Sequence, residues 1–165
     1  MSINYETSGR NWRPMNSKDL PAVCRISDDH WGPEYYESLE IFQHKLDTCP
    51  TGCFVYESRS LPHDTLKSGN VVRGFIMGYP YNSRLIPPFN EEIPDVEVNA
   101  FYIHELVLLE PWRKKKAATH IVKKLIQEHP VICLSSIPES VGFWLKLGFQ
   151  PSGLHCDFGV HLIHF

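Results

Sequence analysis

The sequence contains no apolar run near the roughly 20 residues needed to cross a bilayer, and its opening stretch Met1–Arg13 is too polar for a secretory leader. These absences set the expectation of a cytoplasmic chain with no membrane partner. Repeats, low-complexity tracts and a dividing linker are missing too, so residues 1–165 are expected to form one domain. A net charge of −3 supplies no global basic field for nucleic acid. The five cysteines are odd in number and irregularly spaced, which suits reduced thiols better than a disulfide framework. Cys49-x-x-x-Cys53 lies near His44 but lacks a second ligand pair, so no metal is expected.

What is present reads as alternating strands and helices. Trp12–Met15 is a short first strand, and Ser17 is a candidate N-cap for a helix over Lys18–His30 with Leu20, Val23 and Ile26 inward. Gly32-Pro33 breaks the chain before a second helix from Glu34 to about Asp47, whose buried stripe is Leu39, Phe42 and Leu46. Cys53–Glu57 and Val71–Tyr79 read as neighbouring antiparallel strands. The irregular stretch Pro80–Asp95, rich in proline, is long for a compact domain, and such loops often form lids or binding walls. Val98–Leu109 is apolar almost throughout, as a strand covered on both faces requires. A helix over Lys116–Glu128, a strand over Val131–Leu134, a helix over Glu139–Leu147 closed by Gly148, and a final edge strand over Phe158–Phe165 complete a mixed α/β (α+β) chain.

The run Trp112-Arg113-Lys114-Lys115-Lys116-Ala117-Ala118 is electrostatically wrong for a helix start. That end carries partial positive charge, and a cation there costs about 0.3–1 kcal/mol. Cations and free N–H groups converging on one turn would bind phosphate. A solvated basic turn or a nuclear-targeting run is the simpler alternative. Nucleic-acid contact lacks a second basic stretch and interleaved aromatics.

The order strand, Pro111, Trp112, Arg113-x-x-Lys116-x-Ala118, apolar helix resembles the cofactor turn of the GNAT acetyltransferase superfamily. Val141-Gly142-Phe143-Trp144-Leu145-Lys146-Leu147-Gly148-Phe149 is similar to the aromatic–Lys–x–Gly–Phe segment of the same family. Lys45–Pro50, Gly74–Gly78 and Tyr102–Leu106 look like the arylalkylamine (serotonin) N-acetyltransferase branch. Short connections and the lack of long tails look like a constitutive, non-vertebrate type. The resemblance spans about Trp12 to Phe149. It implies a central, mostly antiparallel twisted sheet of about six to seven strands, splayed between the fourth and fifth and flanked by helices.

It also implies acetyl-CoA as cofactor and direct transfer of acetyl to a primary amine, an arylalkylamine or a polyamine. By the same resemblance the turn Arg113, Lys114, Lys115, Lys116, Ala117 and Ala118 holds the pyrophosphate. Leu106, Val107 and Leu108 offer backbone groups to the pantetheine arm. Tyr102 and His104 stand where the branch has two histidines; they share a strand face, and His104 can accept a proton near neutral pH while Tyr102 can order water. A hydrogen-bonded core histidine is the alternative for His104. Glu105 faces the other way if the strand is regular, and a β-bulge would reverse that. Trp31, Tyr35, Tyr36 and Phe42 lie near the usual acceptor wall, with Phe143 able to close it, although aromatic stripes are also what a core uses. Two positions depart from the family pattern. Lys116 replaces a glycine, and Trp144 replaces the tyrosine that protonates the departing thiolate; an indole N–H donates a hydrogen bond but does not titrate in this range. The expected partner is a small amine, with the chain a monomer or weak homodimer. A peptide or protein acetyltransferase, or a degenerate CoA-binding module, are the rival readings.

Overall fold

Asn16, not Ser17, opens the first helical segment. In the computed structural model, which describes residues 11–66, 68–113 and 116–165, Asn16 and Asp19 form a reciprocal capping box around the turn Ser17–Asp19. The aspartate also grips Arg13 of strand β1 (Trp12–Pro14) through two hydrogen bonds of 2.8 Å. Helix α1 (Leu20–Trp31) comes next and ends at Gly32, whose φ of 77° turns the chain away.

The second helix, α2 (Leu39–Thr48), starts later than its apolar spacing predicts, with Ser38 as its cap and a separate turn at Pro33–Tyr35. The reason is Glu37. It is 1% exposed, so the chain entering the helix turns this carboxylate inward, and Leu39, expected in the buried stripe, is left 44% exposed. The stripe that packs is Phe42, Lys45 and Leu46.

Strands β2 (Cys53–Arg59), β3 (Asn70–Tyr81) and β4 (Ala100–Leu108) run antiparallel. A helical turn, α3 (Glu110–Arg113), and helix α4 (Ala117–Glu128) lead to β5 (Ile132–Ser136), which pairs with β4 in parallel. Helix α5 (Val141–Lys146), β6 (Gln150–Pro151) and β7 (Val160–His164) close the chain. The seven-stranded sheet has the order β1-β2-β3-β4-β5-β7-β6. The last strand is therefore interior rather than the expected edge, because the two residues of β6 fold back over its outer side.

Alternation along β4 distributes the core. Phe101 and Ile103 pack with Ile121, Val122 and Leu125 of α4 and Trp144 of α5. Val107 packs with Leu20, Val23 and Ile26 of α1 and Phe42 and Leu46 of α2. Burial on both faces accounts for the continuous apolar run. Among the described residues no helix is long and apolar enough to cross a membrane.

Two irregularities interrupt β4. Met77 pairs with Glu105 but Gly78 pairs with Ile103, so His104 is an extra residue in the ladder, a β-bulge. Gly78 is required there, since a Cβ would lie 2.5 Å from the Phe101 ring. The second irregularity is a splay. Pairing with β5 stops at Ile103↔Leu134, while β4 runs on to Leu108.

Candidate active site

The bulge places His104 and Glu105 on one face. On a regular strand Glu105 would join Ile103 against α4; instead it sits with Tyr102 and His104 beneath α1. There the three line a cleft walled by Trp31, Tyr35, Pro87, Phe89, Ser135, Ile137 and Phe158. Three rings of that wall form a triangle: Tyr35 and Phe89 lie 5.3 Å apart, Phe89 and Phe158 5.4 Å, and Tyr35 and Phe158 5.9 Å, at edge-to-face or tilted angles.

Beneath the cleft is a buried polar cluster. Glu37 Oε1 is 2.6 Å from His104 Nε2, and its Oε2 accepts from Lys45 Nζ at 2.5 Å and from the Asn90 N–H at 2.9 Å. Lys45 Nζ also lies 2.8 Å from His104 Nε2. The other ring nitrogen, Nδ1, is 2.9 Å from the Tyr79 hydroxyl. Glu105 Oε2 accepts from Ser27 Oγ at 3.0 Å. Glu37, His104 and Glu105 bring ligand atoms within 4.8 Å of one another. The cation beside them is an ammonium, since Lys45 Nζ bonds two of the three.

Burial and neighbours tune these groups in opposite directions. Burial alone would raise Glu37, but His104 and Lys45 outweigh it and hold the carboxyl at about 2. Burial, reinforced by the charge of Glu37, pushes Glu105 up to about 8. His104 is lowered by burial and by Lys45, so its ring is neutral at neutral pH. Lys45 is also drawn down by burial. Tyr102, buried and donating to Ser135 Oγ at 3.0 Å, is raised by burial and holds its proton.

A second cleft enters the β4/β5 gap from the α4 side. It is lined by Leu106, Val107, Leu108, Arg113, Ala118, Ser140, Phe143 and Trp144, and reaches His30 and Trp31 of α1. Leu109 donates its N–H to Arg73 of β3 at 2.8 Å, so by alternation Val107 and Glu105 also turn their backbone groups toward β3. Leu106 and Leu108 therefore direct theirs into the gap. The Leu108 carbonyl is held by Arg113 Nε at 2.7 Å.

Of the residues expected to bind cofactor, Leu106, Val107, Leu108, Arg113, Ala118 and Trp144 line this one cleft. Ala117 is fully buried against Tyr56, Leu108 and Trp112, with its carbonyl accepting from Trp12 Nε1. Lys114 and Lys115 lie outside the described residues. Lys116 caps α4 with φ 60° and ψ 8°, the left-handed conformation a glycine would take without strain. Lys116→Gly should therefore raise folding stability by about 1 kcal/mol, read in urea denaturation. No gain would mean that the lysine side chain offsets its own backbone strain.

Of the expected acceptor wall, Trp31 and Tyr35 line the first cleft. Tyr36 is 51% exposed and lines neither cleft, while Phe42 is core. Phe143 lines the second cleft, packed against Trp144 at 5.0 Å. Sequence reasoning missed Glu37, Phe89 and Phe158. The long proline-rich loop marks the region of Phe89, and a lysine at the inward position between Phe42 and Leu46 is the local sign of a buried anion.

By sequence, no protein-family model and no curated protein matches the chain. By structure it is similar to Ard1 from Thermoplasma volcanium, at 16% identity and a TM-score of 0.61 over 93% of this chain and 95% of that one. Arabidopsis thaliana NAA60 in complex with a bisubstrate analogue aligns at 16% identity and TM-score 0.64, over 93% and 97%. The loading GNATL domain of CurA from Lyngbya majuscula aligns at 11% and 0.69, over 93% and 96%. The chain has the GNAT fold. The parallel β4/β5 pair opens into a gap beyond Ile103, and the two clefts share Trp31 as a lining residue.

Proposed function

We propose that the chain is an acetyl-CoA-dependent N-acetyltransferase acting on a small primary amine. The observation that carries this reading is the meeting of the two clefts at Trp31, which lines both, with His104 and Glu105 on the floor of one and the open edge of β4 along the other. The second cleft suits an extended, anionic molecule on three counts: the backbone of Leu106 turns into it, Arg113 stands in it, and Ala118 at the start of α4 lines it. A GNAT neighbour of this fold, NAA60, is known in complex with acetyl-CoA, at 14% identity and TM-score 0.63. Acetyl-CoA, when bound, supplies an activated acetyl carbon to the amine nitrogen while the thiolate leaves with the C–S electron pair.

The chain's own residues would then handle the amine and its proton. An ammonium must lose a proton before it attacks. His104 is an unsuitable direct acceptor because both ring nitrogens already face partners, Tyr79 on one side and Glu37 with Lys45 on the other. Glu105 lines the cleft, and a carboxyl at about 8 is mostly protonated at neutral pH and gains general-base capacity as the pH rises toward that value. We assign the proton to Glu105, with the buried Glu37–Lys45 ion pair holding the charge balance beneath it. Direct transfer also fits the thiols: burial pushes Cys133 up to about 12, far from a nucleophilic thiolate.

The aromatic wall of Tyr35, Phe89 and Phe158 suits a small amine better than an extended peptide. The test is CoA release from acetyl-CoA across arylalkylamines, polyamines and peptides with free N-termini. Turnover on small amines is expected, falling about 10²–10⁴-fold in Glu105→Gln. Turnover on peptides alone would replace the small-amine reading with the peptide one, and calorimetry without acetyl-CoA binding would end both.

A further inference from the structure

Residues 82–99 contain no helix or strand, yet they carry Pro87 and Phe89 of the first cleft's wall. At the ends of this loop, Asn99 donates its N–H to the Tyr81 carbonyl at 3.1 Å and the Asn82 side chain donates to the Glu97 carbonyl at 2.8 Å. Between those ends, among the described residues, three hydrogen bonds tie the loop to the rest of the chain, and all three reach residues 37–44. Two meet at Asn90, whose N–H goes to Glu37 Oε2 at 2.9 Å and whose side-chain oxygen accepts the Ser38 N–H at 2.8 Å. The third is the Ile93 N–H, donated to Nε2 of His44 on α2 at 3.1 Å. A neutral imidazole that accepts at Nε2 carries its proton on Nδ1.

A single anchor at Asn90 would leave the loop free to pivot. A second at Ile93 fixes its direction as well as its place. The chain is stiff around both, because Pro87, Pro88 and Pro94 each lock φ near about −65°. Ile93 stands before Pro94 and so favours extended backbone. Phe89, next to the first anchor, lies 5.3 Å from Tyr35 and 5.9 Å from the His104 ring. At the second anchor the Ile93 side chain packs on a cluster that includes Tyr79 and Tyr102, and Tyr102 lines the cleft.

Resting on the amine acetyltransferase reading, we infer that His44, which lines neither cleft, is a positioning residue that sets the acceptor wall by holding the Ile93 N–H. It acts through the loop, so it governs how the body of the amine is gripped. The cofactor cleft and the acyl transfer itself lie beyond its reach. A wall that touches ground state and transition state alike changes KM and leaves kcat in place.

Two substitutions separate the bond from the ring. His44→Phe keeps a ring and removes the acceptor, whereas His44→Gln removes the ring and keeps an acceptor. In His44→Phe the KM for amine should rise about three- to tenfold, the worth of one hydrogen bond, with kcat and the KM for acetyl-CoA unchanged. His44→Gln should stay close to wild type in all three. Hydrogen exchange on ¹⁵N-labelled protein reads the anchor without turnover: the Ile93 amide should exchange about tenfold faster in His44→Phe and hold its rate in His44→Gln. An amine KM that stays put in His44→Phe while the Ile93 amide is released overturns the inference. So does a parallel rise in the KM for acetyl-CoA, which marks general loosening. Equal defects in the two variants overturn it as well, since the acceptor would then not be what matters. Wild-type protein that turns over no amine ends the acetyltransferase reading and the inference together, and that result precedes any variant. If the phenylalanine ring unfolds the chain, His44→Ala removes the acceptor in its place, with the same expected outcome.

Discussion

Replacing Lys45 with methionine is expected to cost about 3–5 kcal/mol of folding stability, as when one member of a buried ion pair is removed. Both partners are essentially inaccessible, at about 1% exposure each. Methionine keeps most of the stem that packs between Phe42 and Leu46, so lost packing is a small part of the effect. What remains is Glu37 held in the protein with a neutral His104 and the Asn90 N–H as its partners. The second half of the cycle is Lys45→Met combined with Glu37→Gln. A neutral amide at Glu37 has no charge to desolvate, so the double variant should recover at least half of what the single variant loses. Urea denaturation of the four proteins measures the coupling directly. A loss below about 1 kcal/mol for Lys45→Met would show that water reaches the cluster, in which case it does not hold the charge balance beneath Glu105.

The same variant bears on the loop over the cleft. Asn90 donates its N–H to Glu37 and accepts the Ser38 N–H on its side chain, and it does so at φ 54°. Asparagine tolerates that conformation better than most residues. Glu37 thus fastens the segment carrying Pro87 and Phe89 to the start of α2, and the cluster that balances charge also fixes one wall of the acceptor cleft.

Much of this architecture was legible in the sequence, for identifiable reasons. The apolar run Val98–Leu109 suggested a strand covered on both faces, and the stop at Pro111 before an amphipathic run over Lys116–Glu128 suggested the helix that follows. The two clefts arise from those elements, because the gap lies between the strand and its parallel neighbour. The floor of the acceptor cleft was not legible. It depends on one extra residue in β4, and period-2 alternation cannot be read across a bulge without knowing the register of β3. Glu37 escaped notice because its partners lie 8 and 67 residues away. Local patterns see neither distance. The aromatic triangle joins three loops far apart in the chain, and no spacing rule connects Tyr35, Phe89 and Phe158.

Glu105→Gln should make stability respond to pH in the opposite sense to most carboxylate substitutions. A carboxyl whose folded value is raised binds its proton more tightly in the native protein than in the unfolded chain. Unfolded Glu105 ionises around 4.5, and the folded protein retains the proton until about 8. Below that window both states are protonated and the group contributes nothing. Within it the native state holds one more proton, so stability falls as pH rises, by up to about 1.4 kcal/mol per unit. Above about 8 the cost is constant. The groups facing Glu105 act in other directions. His104 on β4 is lowered, which makes stability rise with pH until about 6.5. Glu37 at about 2 makes it rise between about 2 and 4.5. Cys24 of α1, Tyr79 of β3 and Lys45 of α2 complete the surroundings, with Cys24 pushed up to about 11. Wild type alone would therefore show a mixture. The difference between Glu105→Gln and wild type isolates the one group: near zero at about pH 4, growing through about pH 6 and 7, and level above about 8, with the variant the more stable. Ser27 can still donate to the amide oxygen, so packing is preserved. The activity profile should move oppositely. Wild-type kcat/KM should climb toward an apparent midpoint near 8 as Glu105 becomes able to take the amine's proton, and the variant should be slow and lack that rise. A gain in stability without a loss in rate would make Glu105 a buried acid held for packing, and the base would then have to be sought in water ordered by Tyr102 and Ser135.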